Sequence, residues 1–142
     1  MSVGTGGTMS AGIPPRGNHL FERVADDVAY LRGACCVRCG ESVFPARMVC
    51  PRCRAATMRP VRLGPYGELY SFTISNVAPE GWEAPYLQAF VELPQGIRVF
   101  TLISSAVAPS VDALRVGQAM ELVLEAIAPA RPELTYKFRP RA

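Results

Sequence analysis

The sequence predicts a mainly β protein in three parts: an N-terminal amphipathic helix, a four-cysteine zinc ribbon and a small five-stranded barrel. Three observations lead there. All five cysteines fall within the stretch CCVRCGESVFPARMVCPRC, residues 35 to 53, which contains two Cys-x-x-Cys pairs. From Gly64 onward, apolar and polar residues alternate in short runs separated by turn residues, the two-residue period of strands. Ahead of the cysteines, LFERVADDVAYLRG spaces Phe21, Val24, Val28 and Leu31 three to four residues apart, the period of a helix.

The helix is placed over residues 20–33, with Gly33 in its C-terminal cap region. Residues 1–19, rich in Gly, Ser and Pro, read as a flexible arm. They carry neither a basic start nor an apolar core, so they are no secretory signal. A cytoplasmic location is therefore expected, where thiols stay reduced and clustered cysteines bind metal more often than they pair. The uncharged run Val99 to Val111 contains Pro109 and is too short to cross a bilayer, so no membrane is expected. At 142 residues, 49% hydrophobic and 19% charged, the chain reads as one globular domain, or one domain with a small appended module.

Residues 34–62 hold the ribbon, and residues 63–142 the barrel with a basic C-terminal tail. In GELYSFTIS, Tyr70, Phe72 and Ile74 alternate with Ser71, Thr73 and Ser75, so these three share one face and read as core. YLQAFVELPQGIRVFTLIS gives two strands joined at Pro94-Gln95-Gly96. PSVDALRVG is a short helical or turn segment, AMELVLEAI alternates again, and ELTYKFRP makes a last strand. Five short strands in roughly 75 residues suit a small barrel better than an open sheet.

Cys36 and Cys39 form one x-x pair, Cys50 and Cys53 the other, ten residues apart. Each pair can close a tight knuckle whose amides turn toward sulfur, and two knuckles offer four thiolates in the tetrahedron that structural zinc takes. Gly40, next after the first pair, suits the positive φ of such a turn; the second knuckle has Arg54 there. An iron site uses the same four sulfurs, and spacing does not choose between metals. A dithiol redox pair is a third reading, but it calls for strand-helix units that are lacking. Cys35 is left over as a small buried residue, although a Cys35–Cys39 pairing is sterically thinkable. Four thiolates leave no position for water or substrate, which makes the metal structural.

Charge is segregated. Residues 32–62 carry seven arginines against Glu41 alone, residues 63–130 carry seven acids and two arginines, and residues 131–142 return to +3. Fourteen arginines against one lysine reflect a compositional bias, which does not explain why positive charge gathers on the ribbon. No catalytic set is visible. His19 is the single histidine and lies beside the arm. Glu68, Glu92, Glu121 and Glu125 read as solvent-facing strand residues, and GTGGT does not follow a strand as a phosphate loop would.

The order of ribbon and barrel resembles the family that joins a rubredoxin-like zinc ribbon to an acyl-CoA-associated OB-fold. The ribbon motif C-x-x-C-G-x-x-x-F-P-x-R-x-x-C-P-x-C is met with Phe44, Pro45 and Arg47 in place, and the resemblance runs from Phe21 to Arg139. It implies a small accessory subunit without catalytic residues of its own, in a hetero-oligomer with a thiolase-fold catalytic subunit, as in the benzylsuccinate pathway. The implied chemistry is thiolytic cleavage or Claisen-type acyl transfer, with a CoA thioester at the subunit interface. Subunits of acyl-CoA hydratase or aldolase complexes are the implied alternative.

A second class is single-stranded nucleic-acid binding, through Tyr70, Phe72, Phe90 and Phe100. The net negative barrel segment would repel phosphate, so nucleic acid is the weaker expectation. The loop SNVAPEGWEAPYL, residues 75–87, places Trp82, Pro85 and Tyr86 where a barrel core cannot use them all. They read either as a lid over the barrel end or as a contact with the partner or the acyl-CoA.

Overall fold

Strand pairing begins immediately after residue 20. The computed structural model describes residues 19–26 and 28–141, so nearly all of the expected arm lies outside the described residues. Phe21–Ala25 forms β1 and Val28–Cys36 forms β2, an antiparallel hairpin pairing Phe21 with Leu31 and Ala25 with Val28. The helix expected over residues 20–33 is thus a hairpin, and no helix occurs among the described residues. The three-to-four spacing misled because it is shared out between two strands. Phe21 and Leu31 are buried cross-strand partners, whereas Val24 and Val28 sit exposed by the turn. Within β2 the true period is two: Ala29, Leu31 and Gly33 are buried between the more open Val28, Tyr30 and Arg32.

The remaining ribbon strands are β3 (Ser42–Val43) and β4 (Met58–Leu63). Leu31 pairs with Phe21 on one edge and Leu63 on the other, so β2 has its backbone groups satisfied on both sides there. A lone helix with a narrow apolar stripe offers no comparable burial. Gly33 caps nothing. A Cβ on it would lie 2.3 Å from Leu63 Cδ1 and 2.7 Å from the Val43 carbonyl oxygen, so its bare backbone lets β3 and β4 close in.

Beyond Leu63, β5 (Tyr66–Ser75), β6 (Tyr86–Glu92), β7 (Arg98–Ile103), β8 (Ala119–Ala128) and β9 (Arg131–Pro140) close a barrel in the order β5-β6-β7-β9-β8. Every pairing is antiparallel except β7 with β9, where Leu102 meets Lys137 and Ile103 meets Phe138. This is the five-stranded OB-fold. The turn at Pro94-Gln95-Gly96 is closed by Leu93 N–H donating to Ile97 O at 2.8 Å.

Leu69, Val91, Leu93, Val99, Met120, Leu122 and Phe138 fill the barrel, and Phe21, Leu31 and Leu63 of the ribbon sheet join the same core. A bulge divides the face expected for Tyr70, Phe72 and Ile74. Leu69 opposes Val91 and Ser71 opposes Phe90, leaving Tyr70 as the extra residue. The extra residue flips the alternation, so Leu69 points into the core and Tyr70 faces out under Arg98, while Phe72 and Ile74 pack against the core.

Candidate functional site

The two knuckles are near copies of one another. Arg38 N–H and Cys39 N–H donate to Cys36 Sγ at 3.4 and 3.5 Å, and Arg52 N–H and Cys53 N–H donate to Cys50 Sγ, each at 3.4 Å. Each turn closes through a backbone bond, Gly40 N–H to Cys36 O at 2.9 Å and Arg54 N–H to Cys50 O at 2.8 Å. That closure demands positive φ, 83° at Gly40 and 65° at Arg54, the single non-glycine residue in that region among those described. For Arg54 it costs about 1–2 kcal/mol.

The sulfurs of Cys36, Cys39, Cys50 and Cys53 all lie within 4.8 Å of one another, with Cys36–Cys53 and Cys39–Cys50 at 3.6 Å. Thiolates about 2.3 Å from one tetrahedral ion stand about 3.8 Å apart, so the observed spacing fits a metal. Disulfide bonding does not occur within the cluster, where every thiol is free. Cys35 is half-buried outside it, its thiol directed at Gly40 O 3.6 Å away, so the Cys35–Cys39 pairing is not adopted.

The thiols are unequal. The Thr57 hydroxyl, 3.1 Å from Cys36 Sγ, and the Cys39 amide hold the Cys36 thiol down to about 6. The Cys53 amide likewise lowers Cys50. Cys39, although the Glu41 amide favours its thiolate, is pushed up to about 12 by burial and the neighbouring sulfurs. Four thiolates packed together repel, and a dication is what lets all four ionise.

A second feature lies in the barrel half of the chain. Trp82, Pro85 and Tyr86 line a single cavity of about 540 Å³ between the β5–β6 connection and the β8–β9 turn. Trp82 and Tyr86 meet edge-to-face, ring centroids 5.4 Å apart. Leu102, Ile103 and Ile127 continue the apolar wall. The polar part was not foreseen: Glu125, expected to face solvent, shares this cavity with Ser104, Ser105 and Lys137. The Ser104 hydroxyl donates to Glu125 Oε2, and the Ser105 amide donates to Oε1 at 3.1 Å. Lys137, 4% exposed, lies 3.5 Å from Glu125 Oε1 and donates to Ile127 O at 3.3 Å. One sequence signal pointed here, namely that Lys137 is the sole lysine beside fourteen arginines.

The aromatics considered for nucleic acid part company. Phe90 and Phe100 pair edge-to-face at 5.6 Å on the outer surface, at 43% and 48% exposure, and Tyr70 is exposed beside them; Phe72 packs inward.

Comparison with known proteins fits both halves. Residues 25–59 match the family described as ChsH2, rubredoxin-like zinc ribbon domain, and residues 60–125 match ChsH2, C-terminal OB-fold domain. The benzoylsuccinyl-CoA thiolase subunit BbsA of Thauera aromatica is 33% identical over 124 residues, 84% of this chain and 83% of that protein. This chain belongs to the ChsH2-type zinc-ribbon and OB-fold family.

Within that family, a DUF35 domain-containing scaffold protein of Methanocaldococcus jannaschii is 37% identical over 84 residues, 57% of this chain and 56% of that one. The solved Ltp2-ChsH2(DUF35) aldolase shares the fold at a TM-score of 0.63 and 27% identity, covering 78% of this chain and 84% of that chain. The matched ribbon segment contains all four clustered cysteines. The centre is thus the structural zinc site of a ChsH2-type rubredoxin-like ribbon, closed by four sulfurs. The matched barrel segment stops at residue 125, short of Lys137.

Proposed function

We propose that this chain is a non-catalytic accessory subunit of a thiolase-type acyl-CoA complex, working in the cytoplasm beside a thiolase-fold catalytic subunit. The observation that carries this reading is the likeness to the thiolase subunit BbsA, which spans 84% of the chain. The chemistry would be thiolytic cleavage or Claisen-type acyl transfer on a CoA thioester, with the reacting groups on the partner. Its zinc would hold the ribbon in shape, since four thiolates leave the ion no open position.

The ribbon surface suits a partner of opposite charge. Arg38, Arg52 and Arg54 are exposed on the ribbon, as are Met48, at 88% exposure, Val37 and Val49. Arginine and methionine are both enriched at protein interfaces. Trp82, Pro85 and Tyr86 would supply a contact to the partner or to the acyl-CoA. The solved aldolase relative favours one second reading, the same accessory role in a complex that breaks a carbon–carbon bond by retro-aldol chemistry.

Affinity capture of the zinc-loaded chain from its native host tests the reading. A thiolase-sized subunit should co-purify with wild type and be lost with Trp82→Ala, whose circular dichroism stays native. A partner retained by the variant removes Trp82 from the contact. Recovery of the chain alone, with salt-sensitive binding to single-stranded DNA, would replace the accessory role with nucleic-acid binding.

A further inference from the structure

The cavity beneath Trp82 has the make-up of a ligand site in its own right. Its rim comes from the connection between the first two barrel strands and from the turn between the last two, the loops with which OB-folds take their ligands. At about 540 Å³ it has the size of a small-molecule pocket, with mostly apolar walls and a few convergent polar groups.

Lys137 decides what those polar groups can receive. An ammonium has three N–H donors. Among the described residues Lys137 meets two acceptors, Ile127 O at 3.3 Å and Glu125 Oε1 at 3.5 Å. One N–H is left on a side chain 5% exposed that lines the cavity. An unused buried donor is costly, and a ligand acceptor would satisfy it. In a chain that otherwise uses arginine fourteen times, a compact three-donor point charge stands at this position.

Charge then narrows the class. Glu125 is ionised: burial works against the carboxylate, but donation from Ser104 and Ser105 and the charge of Lys137 outweigh it. The Lys137–Glu125 pair is therefore already neutral overall. A carboxylate or phosphate entering here brings an uncompensated charge into an apolar cavity and comes up against Glu125. A neutral carbonyl oxygen accepts from Lys137 without that penalty.

We propose that this cavity binds a neutral, largely apolar chain bearing a carbonyl group, with the carbonyl oxygen on the third N–H of Lys137 and the hydrocarbon against Trp82, Tyr86 and Ile127. This deepens the contact role given to the Trp82 loop and rests on it. Its test is separate, because it needs only the zinc-loaded chain and no partner.

Octanamide and octanoate serve as probes in titrations of the full chain followed by amide NMR shifts at pH 7.5. Octanamide should give saturable shifts at Ser104, Ser105 and Ile127, and octanoate should bind at least about tenfold more weakly. Lys137→Met should weaken octanamide by about tenfold or more, and octanoate should still bind more weakly than octanamide, because Glu125 is then left without its cation. Should that variant lose its native spectrum, Val107→Trp, which fills the cavity and leaves Lys137 and Glu125 in place, should abolish the shifts. Absence of saturable shifts, shifts confined to another surface, octanoate binding as tightly as octanamide, or full binding by folded Val107→Trp would each overturn the proposal. Failure of the wild-type chain to capture a partner, with octanamide binding intact, would strike the accessory reading alone.

Discussion

Phe44 of the ribbon meets Tyr136 of the barrel edge-to-face, ring centroids 5.7 Å apart, and Tyr136 in turn donates its hydroxyl to Phe100 O at 2.9 Å. The knuckle loop is thereby tied to two barrel strands. Burial pushes the Tyr136 phenol up to about 12, so it stays a donor throughout the neutral range. Phe44→Ala removes the aromatic pair and half-buried apolar area, and should cost about 2 kcal/mol. Urea unfolding should show the loss in ribbon and barrel together. A loss confined to the ribbon would mean that the two halves unfold independently.

Metal removal should do more. With a chelator nothing is left to hold the four sulfurs together, and little else in residues 36–53 is buried. The chain should hold one zinc, and stripping it should disorder both knuckles in amide NMR while zinc restores them. Cys39→Ser should lose the metal. Cys35→Ser should keep it, with stability within about 0.5 kcal/mol of wild type.

Gly33→Ala should destabilise by about 1–3 kcal/mol, since the new methyl collides with Leu63 and the Val43 carbonyl. Thermal melts measure the loss, and a melt unchanged from wild type would contradict the close approach of Leu63 and the Val43 carbonyl to Gly33.

Acid should weaken the fold through Glu125. Its carboxyl lies below the ordinary range in the folded chain, burial being outweighed by its donors and Lys137. A depressed folded value gives stability that is complete above the unfolded value, about 4.3, and is lost as pH falls through the folded one. Urea midpoints should therefore drop as pH falls below about 4.3, and Glu125→Gln should flatten that limb. An unchanged acid limb in the variant would assign it to other carboxylates.

The ribbon was legible because its chemistry is local. Two x-x spacings and a following Gly40 dictate knuckles whatever surrounds them. The barrel strands were legible from alternation and turn residues, yet the bulge at Tyr70 was not, because one inserted residue leaves the composition unchanged while reversing the face. Residues 20–33 were misread because Phe21 and Leu31, which a hairpin buries as cross-strand partners, stand with the exposed Val24 and Val28 at helical spacing, and the long-range pairing of β2 with β4 decided for the strand. The polar floor of the cavity was hidden for a related reason. Glu125 and Lys137 lie on different strands, and each alone looks like an ordinary surface charge until β8 and β9 pair.

The central claim is an accessory role in acyl-CoA chemistry, and reconstitution tests it most directly. The purified catalytic partner is to be assayed for thioester turnover with and without the zinc-loaded chain. Turnover should require both proteins, and the chain alone should show none. Turnover by the chain alone, or a partner rate unchanged by adding it, would contradict the claim.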